Sequence, residues 1–150
     1  MIFRDHSGGT YANSIFVNGT AGVRIEQRSD KGSSYDMLQN GLLIIKNNVF
    51  QGVTNDANSG VPMFVKNEST GDEPADADAN AAAHFNDNNN GVETIGLVAE
   101  ADGVDFVVIP TSTPLTTTTA IPSGDFFEEA NYHGAFGTTN WAESWTLTFK

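Results

Sequence analysis

The pattern of hydrophobic and polar positions predicts a chain built from short β-strands. Apolar runs occupy residues 11–18, 22–27 and 42–50 in the first half, and 94–98 and 104–109 later on. β-Branched and aromatic residues dominate these runs, while Gly, Asn and Ser separate them. No helical periodicity lies between the early runs, and we therefore expect an all-β fold and not an α/β one.

A weak internal repeat suggests how the strands are arranged. The segments Asn13–Phe16 (NSIF) and Asn47–Phe50 (NNVF) both place Asn before a β-branched residue that is followed by Phe. In a β-solenoid, equivalent positions of successive coils stack, so Asn would lie on Asn and aromatic on aromatic. The repeat predicts parallel pairing of these two segments.

The segment after residue 66 changes character and predicts one short helix. Asp72-Glu73-Pro74 is a typical helix start, and Ala75 to Phe85 supports about three turns. The Asn-rich run 86–91 is expected to end the helix. We accordingly divide the chain into β-helix coils over 1–66, and a short helix, further strands and an aromatic C-terminal cap of the same domain over 67–150.

The C-terminal segment carries a family resemblance. The run 125–137 (DFFEEANYHGAFG), followed by 140–146 (NWAESWT), resembles the end of secreted bacterial right-handed parallel β-helix proteins. The opening segment 3–16 looks like an internal coil of the same group. The resemblance implies right-handed parallel β-helix coils followed by a C-terminal cap with one short helix, in an extracellular or cell-surface setting. It also implies that Met1 is an internal or cloned start of a longer protein.

We expect the aromatic side chains of this tail to pin it to the body, because each buries a large apolar area. The six residues are Phe126, Phe127, Tyr132, Phe136, Trp141 and Trp145. An alternative architecture is a closed antiparallel β-sandwich, since three dipeptides suit two-residue hairpin turns. They are Asn18-Gly19, Asn40-Gly41 and Asp102-Gly103.

Charge narrows the range of partners. The chain has 7 Lys and Arg against 19 Asp and Glu, a formal net charge of -12. Residues 67–149 contain no Lys or Arg at all. We therefore expect no nucleic-acid partner and no membrane insertion, and the absence of Cys leaves neither disulfide nor thiolate chemistry.

Calcium is the only cofactor that the sequence suggests. The spacing Asp76-x-Asp78-x-Asn80 offers the alternating oxygen ligands of a hard-cation loop, with Asp87 at the twelfth position. Ala81 stands where such a loop needs Gly. If the segment is helical, Asp76 and Asn80 share one face and Asp78 points elsewhere, so the loop and the helix exclude each other.

Other candidate groups give no recognisable catalytic pattern. Glu128 and Glu129, with Asp125, lie beside aromatic residues as glycosidase acids do, but a polar rim on an aromatic anchor is the preferred interpretation. The histidines His6, His84 and His133 lack the spacing of a zinc site or a triad. A basic face on the first strands would comprise Arg4, Arg24, Arg28 and Lys31. The interpretation that we favour is an exposed salt-bridged stripe of Arg24, Glu26 and Arg28.

These observations favour a non-catalytic structural or adhesive part of a secreted or cell-surface protein, with carbohydrate as the expected ligand. The alternative is a fragment of a polysaccharide lyase or glycoside hydrolase. Because a coil that opens at residue 1 would leave backbone groups unpaired, we also expect a homo-oligomer formed through the N-terminal end.

Overall fold

Short strands and two helices make up the structure. The computed structural model describes residues 1–28, 30, 32–68, 74–101, 106–110, 124–126 and 132–135. Within them the strands are β1 (Ile2–Phe3), β2 (Gly9–Ala12), β3 (Ile15–Val17), β4 (Val23–Gln27), β5 (Leu43–Lys46), β6 (Val49–Gln51), β7 (Met63–Asn67), β8 (Gly91–Val92), β9 (Leu97–Ala101) and β10 (Phe106–Pro110). The helices are α1 (Ser34–Gln39), between β4 and β5, and α2 (Ala77–Asp87), between β7 and β8.

Most of the strands pair in parallel, in three small sheets. The orders are β1-β4-β7, β2-β5 and β3-β6-β8. The strands β9 and β10 form a separate antiparallel pair. The turn between them, at Asp102-Gly103, lies outside the described residues. Neither helix of the described part of the chain is long and apolar enough to cross a membrane.

The predicted right-handed parallel β-helix is wrong. In the described ranges, parallel pairing is confined to sheets of three, two and three strands accompanied by two helices, and no solenoid or closed coil is formed. A solenoid needs structural repeats of similar length. Here the paired strands lie 22 residues apart for β1 and β4, 34 for β3 and β6, 40 for β4 and β7, and 42 for β6 and β8. The expectation of a single helix is also wrong, because α1 adds a second one.

The parallel pairing of the two similar segments is confirmed. Ile15 lies opposite Val49, and Phe16 lies opposite Phe50. The two Phe rings stack with their centroids 4.8 Å apart and their planes 17° from parallel. Asn13 and Asn47 both adopt left-handed backbone angles, with φ of 55° and 51°. Asn tolerates this conformation, and it breaks each predicted long strand in two.

The helix predicted over 75–85 is confirmed with a shifted start. It begins after Asp76, which takes the N-cap position, and buries Ala77, Ala81 and Phe85. Positions four residues apart share one helix face, so these side chains form a single apolar stripe that packs on the core. Phe85 contacts the Phe50 ring at a centroid distance of 5.5 Å.

The helix α1 was not predicted, although its start carries a local signal. Ser33 accepts hydrogen bonds from the backbone N–H groups of Tyr35 and Asp36 at 3.1 and 3.3 Å. This is an N-cap, and Ser33 followed by Asp36 has the Ser-x-x-acid spacing typical of helix starts. Because the helix has six residues, its sequence is too short to display a clear 3.6-residue period. It buries Ser34, Tyr35 and Leu38.

The basic residues of the first strands form ion pairs rather than an open basic face. Arg24 pairs with Glu68. Arg4 and Arg28 approach the Glu26 carboxylate at 3.3 and 3.9 Å. The preferred stripe is therefore present only in part, since Arg28 approaches Glu26 but Arg24 pairs with Glu68, and Glu26 is buried instead of exposed. Lys31 lies outside the described residues.

Buried asparagines connect the sheets where β2, β5 and α2 end. Asn48 accepts a hydrogen bond from Ser14 N–H at 2.9 Å and donates to the Tyr11 carbonyl at 3.1 Å. It also donates to Asn90 Oδ1 at 3.0 Å. Asn90 in turn donates to the carbonyls of Ile45 and Phe85, at 2.8 and 3.0 Å. These side chains give hydrogen-bond partners to backbone groups at the ends of the strands and of α2.

We expect replacement of Asn48 by Leu to lower the free energy of unfolding by about 3 kcal/mol, because buried polar partners would lose their hydrogen bonds. Urea denaturation followed by circular dichroism measures the change. The exposed Asn58, replaced by Ala, is the control and should change stability by less than about 0.5 kcal/mol. Equal stability of the Asn48→Leu variant and the wild type would contradict this role for Asn48.

Candidate functional site

A groove between the two helices is a candidate site in the described residues. It has a volume of about 370 Å³, within the range of small-ligand sites. The helix α1 supplies Leu38 and Gln39, and α2 with its C-cap supplies Asn80, His84, Asp87 and Asn88. The groove exists because each helix packs its apolar face on the sheets, which leaves a polar edge of α1 beside a polar edge of α2.

A buried tyrosine connects the two helices at this groove. The Tyr35 hydroxyl oxygen accepts hydrogen bonds from Asn80 Nδ2 at 2.8 Å and from Gln39 Nε2 at 3.2 Å. Burial raises the pKa of Tyr35, and the hydrogen bond from Asn80 acts against this effect. The hydroxyl therefore stays protonated at neutral pH and fixes two groove-lining amides.

The amide nitrogens of the groove-lining side chains are engaged within the protein. The nitrogens of Gln39 and Asn80 donate to Tyr35, and Asn88 Nδ2 donates to the His84 carbonyl at 2.9 Å. With their nitrogens engaged within the protein, the three amide oxygens serve as acceptors beside the Asp87 carboxylate. The lining contains no Lys or Arg. This chemistry favours a ligand rich in hydroxyl or amino donors.

His84 supplies a donor to the same groove. Its Nε2 accepts a hydrogen bond from the Ile45 backbone N–H at 3.1 Å, so the neutral ring carries its proton on Nδ1. Burial lowers the pKa of His84, although the Asp87 carboxylate acts in the opposite direction. Because the acceptor nitrogen is already engaged, His84 is poorly suited to act as a general base.

The predicted calcium ligands lie on and beside the helix α2. Asp76 is its N-cap, Asn80 follows one turn later, and Asn80 Nδ2 donates to Asp76 Oδ2 at 3.1 Å. Asp78 lies within the first turn, and Asp87 is the last helical residue. Among the residues that the structure describes, no group of three or more His, Asp or Glu is placed to hold a metal ion. A calcium site here stays a prediction, while the helix replaces the loop that the alternating spacing would require.

The C-terminal cap is described only in part. Glu128 and Glu129 lie outside the described residues, as do Phe127, Phe136, Trp141 and Trp145. Asp125 is exposed, and Phe126, expected to be an anchor, is 89% exposed. Anchoring of the tail by its aromatic side chains therefore stays a prediction. A glycine makes one contact instead, since Gly134 N–H donates to the Asn13 carbonyl at 2.7 Å.

The other two histidines do not join the groove. His6 is exposed in the turn after β1. His133 is buried, and its burial lowers its pKa despite opposing effects of the Asn47 backbone and Glu93. The three histidines therefore occupy separate places in the described part of the chain.

Comparisons with protein-family models, with curated proteins and with solved structures give no match to this chain. The resemblance of the C-terminal segment to secreted proteins stays a prediction, and the groove chemistry carries the functional argument.

We expect stability to fall as the pH drops below 6.5, the ordinary pKa of histidine. The pKa values of His84 and His133 are lowered in the folded state. Below pH 6.5 the unfolded chain therefore binds more protons than the folded one, and the free energy of unfolding decreases. A His84→Gln variant keeps an acceptor for Ile45 N–H but does not titrate, and it should show a weaker dependence on pH.

Urea midpoints at pH 7.5 and 5.5 measure this dependence. The exposed Asn58, replaced by Ala, is the non-titrating control and should leave the slope unchanged. An unaltered slope in the His84→Gln variant would show that His84 does not contribute.

Proposed function

We propose that this chain is a non-catalytic carbohydrate-binding part of a secreted or cell-surface protein, with the groove between α1 and α2 as its binding site. The observation that carries the proposal is the lining of amide and carboxylate oxygens, with His84 Nδ1–H as a donor and Leu38 as an apolar contact. Sugar hydroxyls are suited to such a mixed set of acceptors and donors.

The charge of the groove selects among carbohydrates. Asp87 lies in the lining, and the described residues that line the groove include no Lys or Arg, so a uronate or sulfate group would be repelled. Neutral or amino sugars fit this environment. Residues 67–149 are acidic as a whole, so the chain around the groove also carries negative charge.

An adhesive or structural role follows from binding without turnover. The Asn- and Thr-rich, Cys-free composition is compatible with an extracellular setting.

A polysaccharide lyase or glycoside hydrolase fragment is the alternative function. A lyase requires a base and cations that stabilise an anionic sugar. The groove offers a carboxylate instead of cations, and His84 has its acceptor nitrogen engaged by Ile45. These features favour binding over catalysis.

We expect the protein to bind a neutral or amino oligosaccharide and to discriminate against uronate-containing ones. Isothermal titration against both classes of glycan measures the affinities. Replacing Gln39 and Asp87 together by Ala removes two acceptors from opposite sides of the groove and should weaken binding at least about tenfold, the equivalent of about 1.4 kcal/mol.

The exposed Asn86, on α2 but outside the groove lining, is the matched control as an Ala variant and should bind like the wild type. Equal affinity of the Gln39/Asp87 double variant would contradict the groove as the site. Release of unsaturated sugar products from an acidic glycan would instead support the lyase.

A further inference from the structure

A carboxylate gives the groove between α1 and α2 its charge. Asp87 lies in the lining, and the described residues around it there are amides, a leucine and a histidine. His84 adds no positive charge at neutral pH, because burial lowers the pKa of its ring. The described lining therefore carries a net negative charge.

Asp87 occupies a position where a carboxylate does not stabilise the helix. It is the last residue of α2, and the C-terminal end of a helix carries a partial negative charge. The helix therefore repels this carboxylate, whereas a bound cation would be attracted both by the carboxylate and by the end of the helix. Because the Asp87 side chain is exposed, a ligand in the groove can reach it.

Further carboxylates act on the part of the groove near Tyr35. Burial is the largest cause of the raised pKa of Tyr35, and the negative charges of Asp76, Asp36 and Asp78 contribute in the same direction. The Tyr35 hydroxyl is 2.8 Å from the groove-lining Asn80 Nδ2, so these charges also act inside the groove. A positively charged group would be stabilised there as well as beside Asp87.

The amide of Asn80 is suited to a ligand group that only donates hydrogen bonds. Its nitrogen donates to the Tyr35 hydroxyl at 2.8 Å and to Asp76 Oδ2 at 3.1 Å, so both of its hydrogens are used and its oxygen is left to accept. An ammonium group has three N–H donors and no acceptor. A sugar hydroxyl could also donate to such a lining, but it would leave the charge of Asp87 uncompensated.

The acceptors extend over the length of a short oligosaccharide. Asn80 and Asp87 are seven residues apart on α2, which is about two turns or about 10 Å of helix. Gln39 faces them from α1 across the groove. One sugar ring can therefore lie beside the carboxylate while the next one contacts the amides.

We propose that the groove between α1 and α2 selects sugars that carry a free, protonated amino group, and that Asp87 determines this preference. The ammonium group lies against the Asp87 carboxylate, and ring hydroxyls bond to the amide oxygens of Gln39 and Asn80 and to His84 Nδ1–H. The inference rests on the proposed carbohydrate-binding function of the same groove and narrows its ligand to one chemical class.

The test compares three disaccharides that differ at one carbon of each ring. The β-linked dimers of glucosamine, N-acetylglucosamine and glucose carry there an ammonium, an acetamido and a hydroxyl group. NMR titration of the full chain at slightly acidic pH, where the amine is protonated, measures the three affinities. The glucosamine dimer should bind about threefold to fivefold more tightly than the other two, the effect expected of an exposed ion pair.

An Asp87→Asn variant removes the charge and keeps both the shape and one acceptor oxygen. We expect it to lose the preference for the glucosamine dimer and to bind the glucose dimer as the wild type does. Asp5→Asn is the charge-matched control, because Asp5 is exposed and absent from the groove lining, and its φ of 50° is one that Asn also tolerates. It should keep the preference of the wild type.

The outcomes separate this inference from the proposed function. Equal binding of the three dimers by the wild type would overturn the selection of an amino group and leave the groove as a carbohydrate site. Failure of all three to bind would overturn the proposed function as well. Equal loss of the preference in the Asp5→Asn and Asp87→Asn variants would indicate general attraction to an acidic chain and would also overturn the inference. Putrescine, which has ammonium groups but no ring hydroxyls, should bind more weakly than the glucosamine dimer, and equal binding would exclude a sugar as the preferred ligand.

Discussion

The hydrogen bonds of Asn48 are the constraint on which the rest of the structure depends. This fully buried side chain connects the start of β3, the end of β2 and, through Asn90, the ends of β5 and α2. A buried amide costs free energy unless its groups are paired, and here both its oxygen and its nitrogen are engaged. The corner is therefore specified by hydrogen-bonding partners as well as by packing, and the strands on either side of it are held in one register.

Contacts that start from this corner position the two helices. The C-terminal end of α2 is tied to the sheets through Asn90 and the Phe85 carbonyl, and its apolar stripe packs on the core. Its polar edge then meets α1 through Asn80 and Tyr35. The groove forms because each of the two helices buries one face. Its lining is rich in acceptors because the amide nitrogens already donate hydrogen bonds within the protein.

Local patterns predicted local structure well. Three kinds of feature could be predicted from the sequence, because each depends on neighbouring residues or on a visible repeat. They are the strands near 22–27 and 42–50, the helix that ends in an Asn-rich run, and the pairing of the two similar segments. The overall architecture could not be predicted from the sequence. Connections of unequal length between the paired strands, one of them containing α1, prevent the regular coils that the repeat and the C-terminal resemblance implied.

The sequence by itself determined the charge, the absence of thiol chemistry, the strand-forming runs and the identity of α2. Only the tertiary structure decided which polar residues meet. Gln39 and Asn88 are 49 positions apart and lie on different elements, yet both line one groove. Such a site depends on contacts between distant segments, and no short-range pattern records them. The predicted cation ligands illustrate the same dependence on tertiary structure, because their regular spacing lies on a helix start where Asn80 donates to Asp76, and a calcium site there stays a prediction.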